Sequence, residues 1–202
     1  MKRIALVPSL VFLLAGSVQG QSFEVMPGTE RLFVDVQWLK QFEDPRWSLF
    51  SRSRATDDYQ SSTSLFTGGY LNYTSSKGIG GTLVGRISSM GSGLDVGAHF
   101  FKGNTKLMIY ALASIELSND MSYSWFSILR YYPQLSKNWK LYSSLELFSN
   151  FVSGAHVASV QRVRIGVDRG GFQFGLALNL SGFNENYSQT DENPGIFLRK
   201  DF

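Results

Sequence analysis

The stretch GFQFGLALNLSG, residues 171–182, alternates without a break. Phe172, Phe174, Leu176, Leu178 and Leu180 fall on one side, and Gln173, Gly175, Ala177, Asn179 and Ser181 on the other. Residues two apart share a face only in an extended chain, so the pattern fits a strand and no helix. It recurs along the sequence. Leu107, Ile109, Ala111, Ala113, Ile115 and Leu117 form one such set, and Leu94, Val96, Ala98 and Phe100 another. Ile79, Gly81, Leu83, Gly85 and Ile87 form a third. Trp139, Leu141, Leu145 and Leu147 share a face interrupted by Ser143, and Val163, Ile165 and Val167 stand opposite Arg162, Arg164 and Asp168. The separators are short and turn-like: SSKG at 75–78, MGSG at 90–93, KGN at 102–104, SND at 118–120 and RGG at 169–171. Glycine and asparagine there supply the positive φ of tight hairpins. The expectation is an antiparallel meander of strands about 9–13 residues long, the length of a tilted strand crossing a bilayer rather than the 5–6 of soluble sheets.

The faces decide the solvent. In a soluble sandwich or barrel the side opposite the apolar one carries Lys, Glu and Thr. Here that side is partly small (Gly97, Gly175, Ala177, Ser181) and partly charged (Arg86, Asp95, Arg130, Glu146, Arg162, Arg164). The apolar side continues from strand to strand almost free of charge. An apolar band outside a polar interior is the transmembrane-barrel arrangement, and only a closed barrel satisfies every strand backbone group in hydrocarbon. Trp47, Tyr73, Tyr123, Trp125, Tyr131 and Trp139 fall near strand ends, where interfacial girdles sit. A soluble secreted ligand-binding barrel of lipocalin type is the alternative, because a cavity protein also alternates.

Composition agrees with export and a single domain. Met1-Lys2-Arg3 precedes an uncharged apolar run and then Ser17-Val18-Gln19-Gly20, the three-part layout of a secretory signal peptide cut after Gly20, so residues 1–20 are set apart from the fold. The run is too short for a membrane helix, which needs about 20 residues, and no later run approaches that length. Without Lys2 and Arg3 the formal charge falls from +3 to +1, which argues against nucleic acid as a partner. The chain has no cysteine, which excludes disulfide staples and a lipoprotein anchor. Charged residues make up 17%, below the roughly 25% of soluble domains.

The final segment GIFLRKDF, residues 195–202, alternates as well, with Ile196, Leu198, Lys200 and Phe202 on one side and Phe197, Arg199 and Asp201 on the other. An exported, cysteine-free strand meander over residues 45–202 whose last strand ends in phenylalanine resembles the Gram-negative outer-membrane β-barrel proteins. Ile196, Leu198 and Phe202 match that family's C-terminal assembly signal; Lys200 departs from it, though near an interface its amine can snorkel. The resemblance implies an up-and-down all-β transmembrane barrel in the outer membrane. It also implies recognition by the barrel-assembly machinery and periplasmic chaperones, and lipopolysaccharide as a candidate contact. The last strand then runs toward the periplasm. RGG, KGN and SSKG become periplasmic turns, and residues 181–195 a long external loop. Ten strands fit if the first spans 47–56. Residues 31–42 alternate too (Leu32, Val34, Val36, Trp38), and one extra strand would break the even count of bacterial barrels. Either they bring a further strand and make twelve, or they form a periplasmic or helical preface within 21–45.

No phosphate loop, metal-ligand spacing or nucleophile elbow is present, and no cofactor is expected. His99 should face the lumen near Asp95. His156 lies beside Ser153 and Ser159 near the external rim, where a carboxylate such as Asp191 or Glu192 would complete a hydrolytic triad. That is the enzymatic alternative, a lipid-modifying hydrolase or acyltransferase; the main expectation is a non-enzyme. Face assignment sends Arg52, Arg54, Arg86, Lys106, Arg130, Arg162 and Arg164 into the lumen, with Asp95, Glu116, Glu146 and Asp168 among them. Two readings follow: a packed ion-pair network that replaces a hydrophobic core, or a narrow small-solute path favouring anions. On the first, loss of Glu146 should strand Arg130 or its neighbours and destabilise the barrel; on the second it should raise anion conductance instead. The polar loop carrying Glu185, Asp191 and Glu192 leaves binding of a surface partner open.

Overall fold

The structure, a computed structural model, describes residues 20–89, 91–118 and 122–202. The expected signal peptide up to residue 19, residue 90 of the MGSG separator and residues 119–121 at the SND separator lie outside the described residues. Thirteen strands follow one another: β1 (Ser22–Pro27), β2 (Arg31–Gln41), β3 (Trp47–Asp58), β4 (Thr63–Thr74), β5 (Ile79–Ser88), β6 (Gly91–Gly103) and β7 (Leu107–Glu116). Then come β8 (Ser122–Tyr131), β9 (Gln134–Ser136), β10 (Trp139–Val152), β11 (Ala155–Arg169), β12 (Phe172–Phe183) and β13 (Gln189–Asp201). Each pairs antiparallel with its sequence neighbour, except that the three-residue β9 pairs only with β10, while β8 passes directly to β10. The ring closes where β13 meets β1, with Ser22 opposite Asp201 and Val25 opposite Leu198. The result is a closed twelve-strand barrel.

Twelve strands resolve the count. Residues 31–41 form barrel strand β2, and its partner is β1, only six residues long. One residue of strand rises about 3.3 Å, so a 12-residue strand such as β3 tilted by about 45° spans about 28 Å, the height of a bilayer's hydrocarbon core. The expected long loop at 181–195 is mostly strand. β12 reaches Phe183 and β13 starts at Gln189, leaving 184–188 as the connection. Its polar composition belongs to strand ends that rise beyond the apolar band.

The alternation is realised inside out. Ile79, Ile87, Leu176, Ile196 and Leu198 are all more than half exposed on the outer wall, while Gln173, Asp35, Arg164 and Arg199 are almost wholly buried. The interior is not uniformly polar, however. One apolar cluster, Met26, Phe33, Tyr142, Ala177 and Phe197, fills the side formed by β1, β2, β10, β12 and β13. A second, Tyr70, Val84, Leu112, Phe126 and Ile128, fills the side formed by β4, β5, β7 and β8. A twelve-strand barrel is too wide to close on small residues alone, so large inward side chains take up the space. Between the two clusters lies the charged layer.

Candidate functional site: the arginine-rich waist

The charged layer begins with a cross-strand pairing. In the register of β2 and β3, Asp35 stands opposite Arg54 and Gln37 opposite Arg52, all four on inward positions. Arg52 grips Asp35 with two bonds: Nε donates to Oδ1 at 2.7 Å and Nη2 to Oδ2 at 2.8 Å. Gln37 Nε2 adds a third donor to Asp35 at 2.6 Å. Glu146 reaches this group from β10, which is six strands from β3 in either direction around the ring. Its Oε2 accepts from Arg52 Nη1 at 2.6 Å, and its Oε1 accepts from Arg54 Nη2 and, at 2.6 Å, from Arg162 Nη1. One carboxylate therefore ties opposite walls of the barrel. A second tie runs parallel to it. Arg130 Nη2 on β8 donates to Gln37 Oε1 on β2 at 3.1 Å, again across six strands.

Around this waist, Arg164 Nε donates to Glu24 Oε1 at 2.8 Å, and Arg199 lies 3.8 Å from the same carboxylate. The guanidiniums of Arg162 and Arg164 lie 5.1 and 5.7 Å from the centre of the Phe33 ring, where the ring's negative face favours a cation. Arg52, Arg54, Arg130, Arg162, Arg164 and Arg199 thus face three buried carboxylates, Glu24, Asp35 and Glu146; Asp201 meets Arg199 from the rim at 2.9 Å. Among the described residues Arg130 has no carboxylate within ion-pair distance, and the Nε atoms of Arg54, Arg130 and Arg162 are buried without a hydrogen bond, although Arg54 Nε lies 3.4 Å from Asp35 Oδ1. A cavity of about 20 Å³ lies among these side chains, and one of about 50 Å³ opens beyond them between Arg31, Phe33, Arg162, Asn179 and Asn193.

The remaining residues singled out in the sequence fall elsewhere. Arg86 bridges Asp95 at 3.1 Å and Glu116 at 2.7 Å, nearer the rim away from Gln21 and Phe202. Gly93 makes room for it, since a Cβ there would come within 2.7 Å of Arg86 Nη2. Asp95 is therefore spent on Arg86, and His99 is held by hydroxyls instead, Thr82 Oγ1 at 2.7 Å and Thr74 Oγ1 at 2.9 Å. Lys106 is an exposed turn residue and does not enter the lumen. Among the described residues Arg130 makes no ion pair with Glu146, whose partners are Arg52, Arg54 and Arg162. Asp168 accepts from Gln173 at 2.9 Å. Ile196, Leu198 and Phe202 line the outer wall, where Phe202 N–H donates to Gln21 O at 3.0 Å beside the closing seam.

The triad does not assemble. His156 Nε2 lies 2.8 Å from Ser159 Oγ, but its Nδ1 is bound to the backbone carbonyl of Asn184 at 2.7 Å, where a carboxylate would have to stand. Asp191 is bound to Arg31, Glu192 is exposed, and Ser153 occupies a left-handed turn with φ 51°. His156 stacks on Tyr187 at 4.2 Å and so ties the 184–188 connection to β11.

Glu24, Asp35, Gln37 and Arg199 belong to the waist but were not picked out from the sequence. The alternation of Leu32, Val34, Val36 and Trp38 does place Asp35 and Gln37 on the inward face; only the uncertainty over whether 31–42 is a strand hid them.

A closed barrel with an apolar outer wall and a charged interior is the architecture of outer-membrane β-barrel proteins. Solved structures of that class share it. A KdgM porin solved with disordered oligogalacturonate superposes with a TM-score of 0.55 at 9% identity, over 91% of this chain and 99% of that one. LpxR from Salmonella typhimurium gives 0.51 at 8% identity, over 91% and 100%. The NanC porin gives 0.50 at 7% identity, over 91% and 98%. At such identities the likeness is one of fold. No family model and no curated protein matches the sequence.

Proposed function

We propose that the protein is an outer-membrane channel for small anionic solutes, with the rim that carries Gln21 and Phe202 facing the periplasm. The observation that carries this reading is the waist: six guanidiniums meet three buried carboxylates across the full width of the lumen, and Arg130 has no carboxylate of its own. Arginine lining a narrow path lowers the barrier for anions and raises it for cations. A low-dielectric wall strengthens that field. The path is narrow. About 20 Å³ of open space at the waist holds roughly one water, so a solute passes only as arginine side chains swing aside. The KdgM porin was solved in complex with oligogalacturonate, an anion, which supports the same class of solute.

The two apolar clusters that flank the waist favour a second reading, a purely structural barrel whose interior is a core. Reconstitution into planar bilayers under a salt gradient separates the two. The channel reading expects conductance with a reversal potential on the anion side, reduced in the Arg130→Gln protein. Folded protein that does not conduct, or that prefers cations, would sink it.

A further inference from the structure

The barrel's two rims differ in charge. All seven lysines among the described residues, Lys40, Lys77, Lys102, Lys106, Lys137, Lys140 and Lys200, lie at the rim of Gln21 and Phe202, and Arg46 and Arg169 join them. Among the described residues none of these lysines is within ion-pair distance of a carboxylate. At the opposite rim the cations among the described residues are held by carboxylates, Arg31 by Asp58 and Asp191 and Arg86 by Asp95 and Glu116, amid Glu30, Asp57, Glu185 and Glu192. Four of the rim cations are stacked over aromatic rings: Lys40 over Phe42 at 5.8 Å, Arg46 over Tyr73 at 5.6 Å, Arg169 over Trp139 at 5.2 Å and Lys200 over Phe172 at 4.0 Å.

Two of these pairs form a continuous row on the outer wall. Arg169 on β11 stands opposite Phe172 on β12, which stands opposite Lys200 on β13, which stands opposite Phe23 on β1. Cation and ring thus alternate across neighbouring strands, at the height where interfacial aromatics meet headgroups. Strands lie about 4.8 Å apart, so the backbones of Arg169 and Lys200 are about 10 Å apart, with their side chains flanking the Phe172 ring. Lys200 Nζ spends one donor on Gly170 O at 3.0 Å and keeps two. Among the described residues the Arg169 guanidinium donates to no protein acceptor. The nearest acids are spent inward, Asp168 on Gln173 and Asp201 on Gln173 and Arg199.

We infer that the row Trp139–Arg169–Phe172–Lys200 is a docking surface for the phosphate of an anionic phospholipid. The rings cover the acyl-chain boundary while the free guanidinium and ammonium donors take the phosphate oxygens. The inference rests on the reading that the barrel spans a membrane; with the orientation proposed above, the lipid belongs to the periplasmic leaflet. It also gives a role to Lys200, which departs from the apolar pattern of the last strand.

The test is lipid retention by native mass spectrometry. Protein is refolded into micelles carrying equal phosphatidylglycerol, phosphatidylcholine and lipopolysaccharide. In parallel, insertion into phosphatidylcholine vesicles, with and without phosphatidylglycerol, is followed by protease protection. The expected result is insertion into both vesicles and preferential retention of phosphatidylglycerol. That preference should fall by about an order of magnitude in the R169Q/K200Q protein, persist in R169K/K200R and weaken at high salt. Insertion without a preference, or a preference that R169Q/K200Q keeps, overturns the docking surface alone. A preference for lipopolysaccharide assigns this rim to the other leaflet and overturns it too. Failure to insert into any vesicle sinks the membrane reading and the inference with it.

Discussion

Glu146 is the side chain on which the interior turns, and Glu146→Gln measures how much. Glutamine keeps the shape and one acceptor oxygen but removes the charge that faces Arg52, Arg54 and Arg162. All four side chains are at most 15% exposed, so water does little to compensate. Removing one partner from a buried ion pair costs about 3–5 kcal/mol, because the other charge remains buried. Arg52 still has Asp35 at 2.7 Å and Arg54 has it at 3.4 Å, so the cation left without any carboxylate is Arg162. The lower end, about 3 kcal/mol, is therefore expected. In urea unfolding followed by tryptophan fluorescence, with m about 1–3 kcal/mol/M, this moves the midpoint down by about 1 M or more. Adding Arg162→Gln should restore most of the loss, since the two residues act on one interaction and their effects are not additive. An unchanged midpoint for Glu146→Gln would refute the cross-lumen tie. A double variant whose losses simply add would refute the identification of Arg162 as the stranded charge.

Arg130 should behave in the opposite way. It lacks a carboxylate, so Arg130→Gln should leave the urea midpoint unchanged or slightly raised; a loss comparable to that of Glu146→Gln would mean an unrecognised partner. Gly175 faces Gly166 across β11 and β12, and a Cβ at Gly175 would come within 2.2 Å of Ile165 O. Gly175→Val should therefore prevent refolding into micelles, read as loss of protease resistance, whereas Leu178→Val, half-buried on the outer wall one turn of the pleat away, should refold normally. The Asn193 side chain accepts from Glu30 N and Arg31 N and donates to Arg31 O, clamping the β1–β2 turn to β13. Asn193→Ala should cost about 1–3 kcal/mol and speed amide exchange at residues 28–31; unchanged exchange there would refute the clamp.

Much of this architecture was legible because a period of two is unambiguous when one wall meets lipid. Leu176 outside and Ala177 inside follow from the alternation of 171–182 alone, and the inward positions of Arg52, Arg162 and Arg164 follow from the alternation of their own strands. What escaped was short or depended on distant pairing. β1 has six residues, too few for Phe23 and Val25 to stand out, and without β1 the status of β2 and the inward place of Asp35 stayed open. The partner of Arg130 was misjudged for another reason. Its inward direction is set by local sequence, but its contact is Gln37 on the opposite wall, and only ring order and shear bring those heights together. Polarity at 181–195 read as a loop because strand that rises clear of the bilayer no longer needs an apolar outer face. His156 and Ser159 are adjacent in space as in sequence, yet the residue that orients the imidazole is a backbone carbonyl, which no sequence pattern marks.

The central claim is a closed barrel seated in the outer membrane, and comparing boiled with unboiled membrane fractions by gel mobility tests it most directly. A barrel whose ends are sealed by β1 and β13 resists detergent until heated. The protein should fractionate with the outer membrane, migrate at one position unboiled and shift on boiling. Protein that is soluble in the periplasm or medium and runs at the same position before and after boiling would contradict the account.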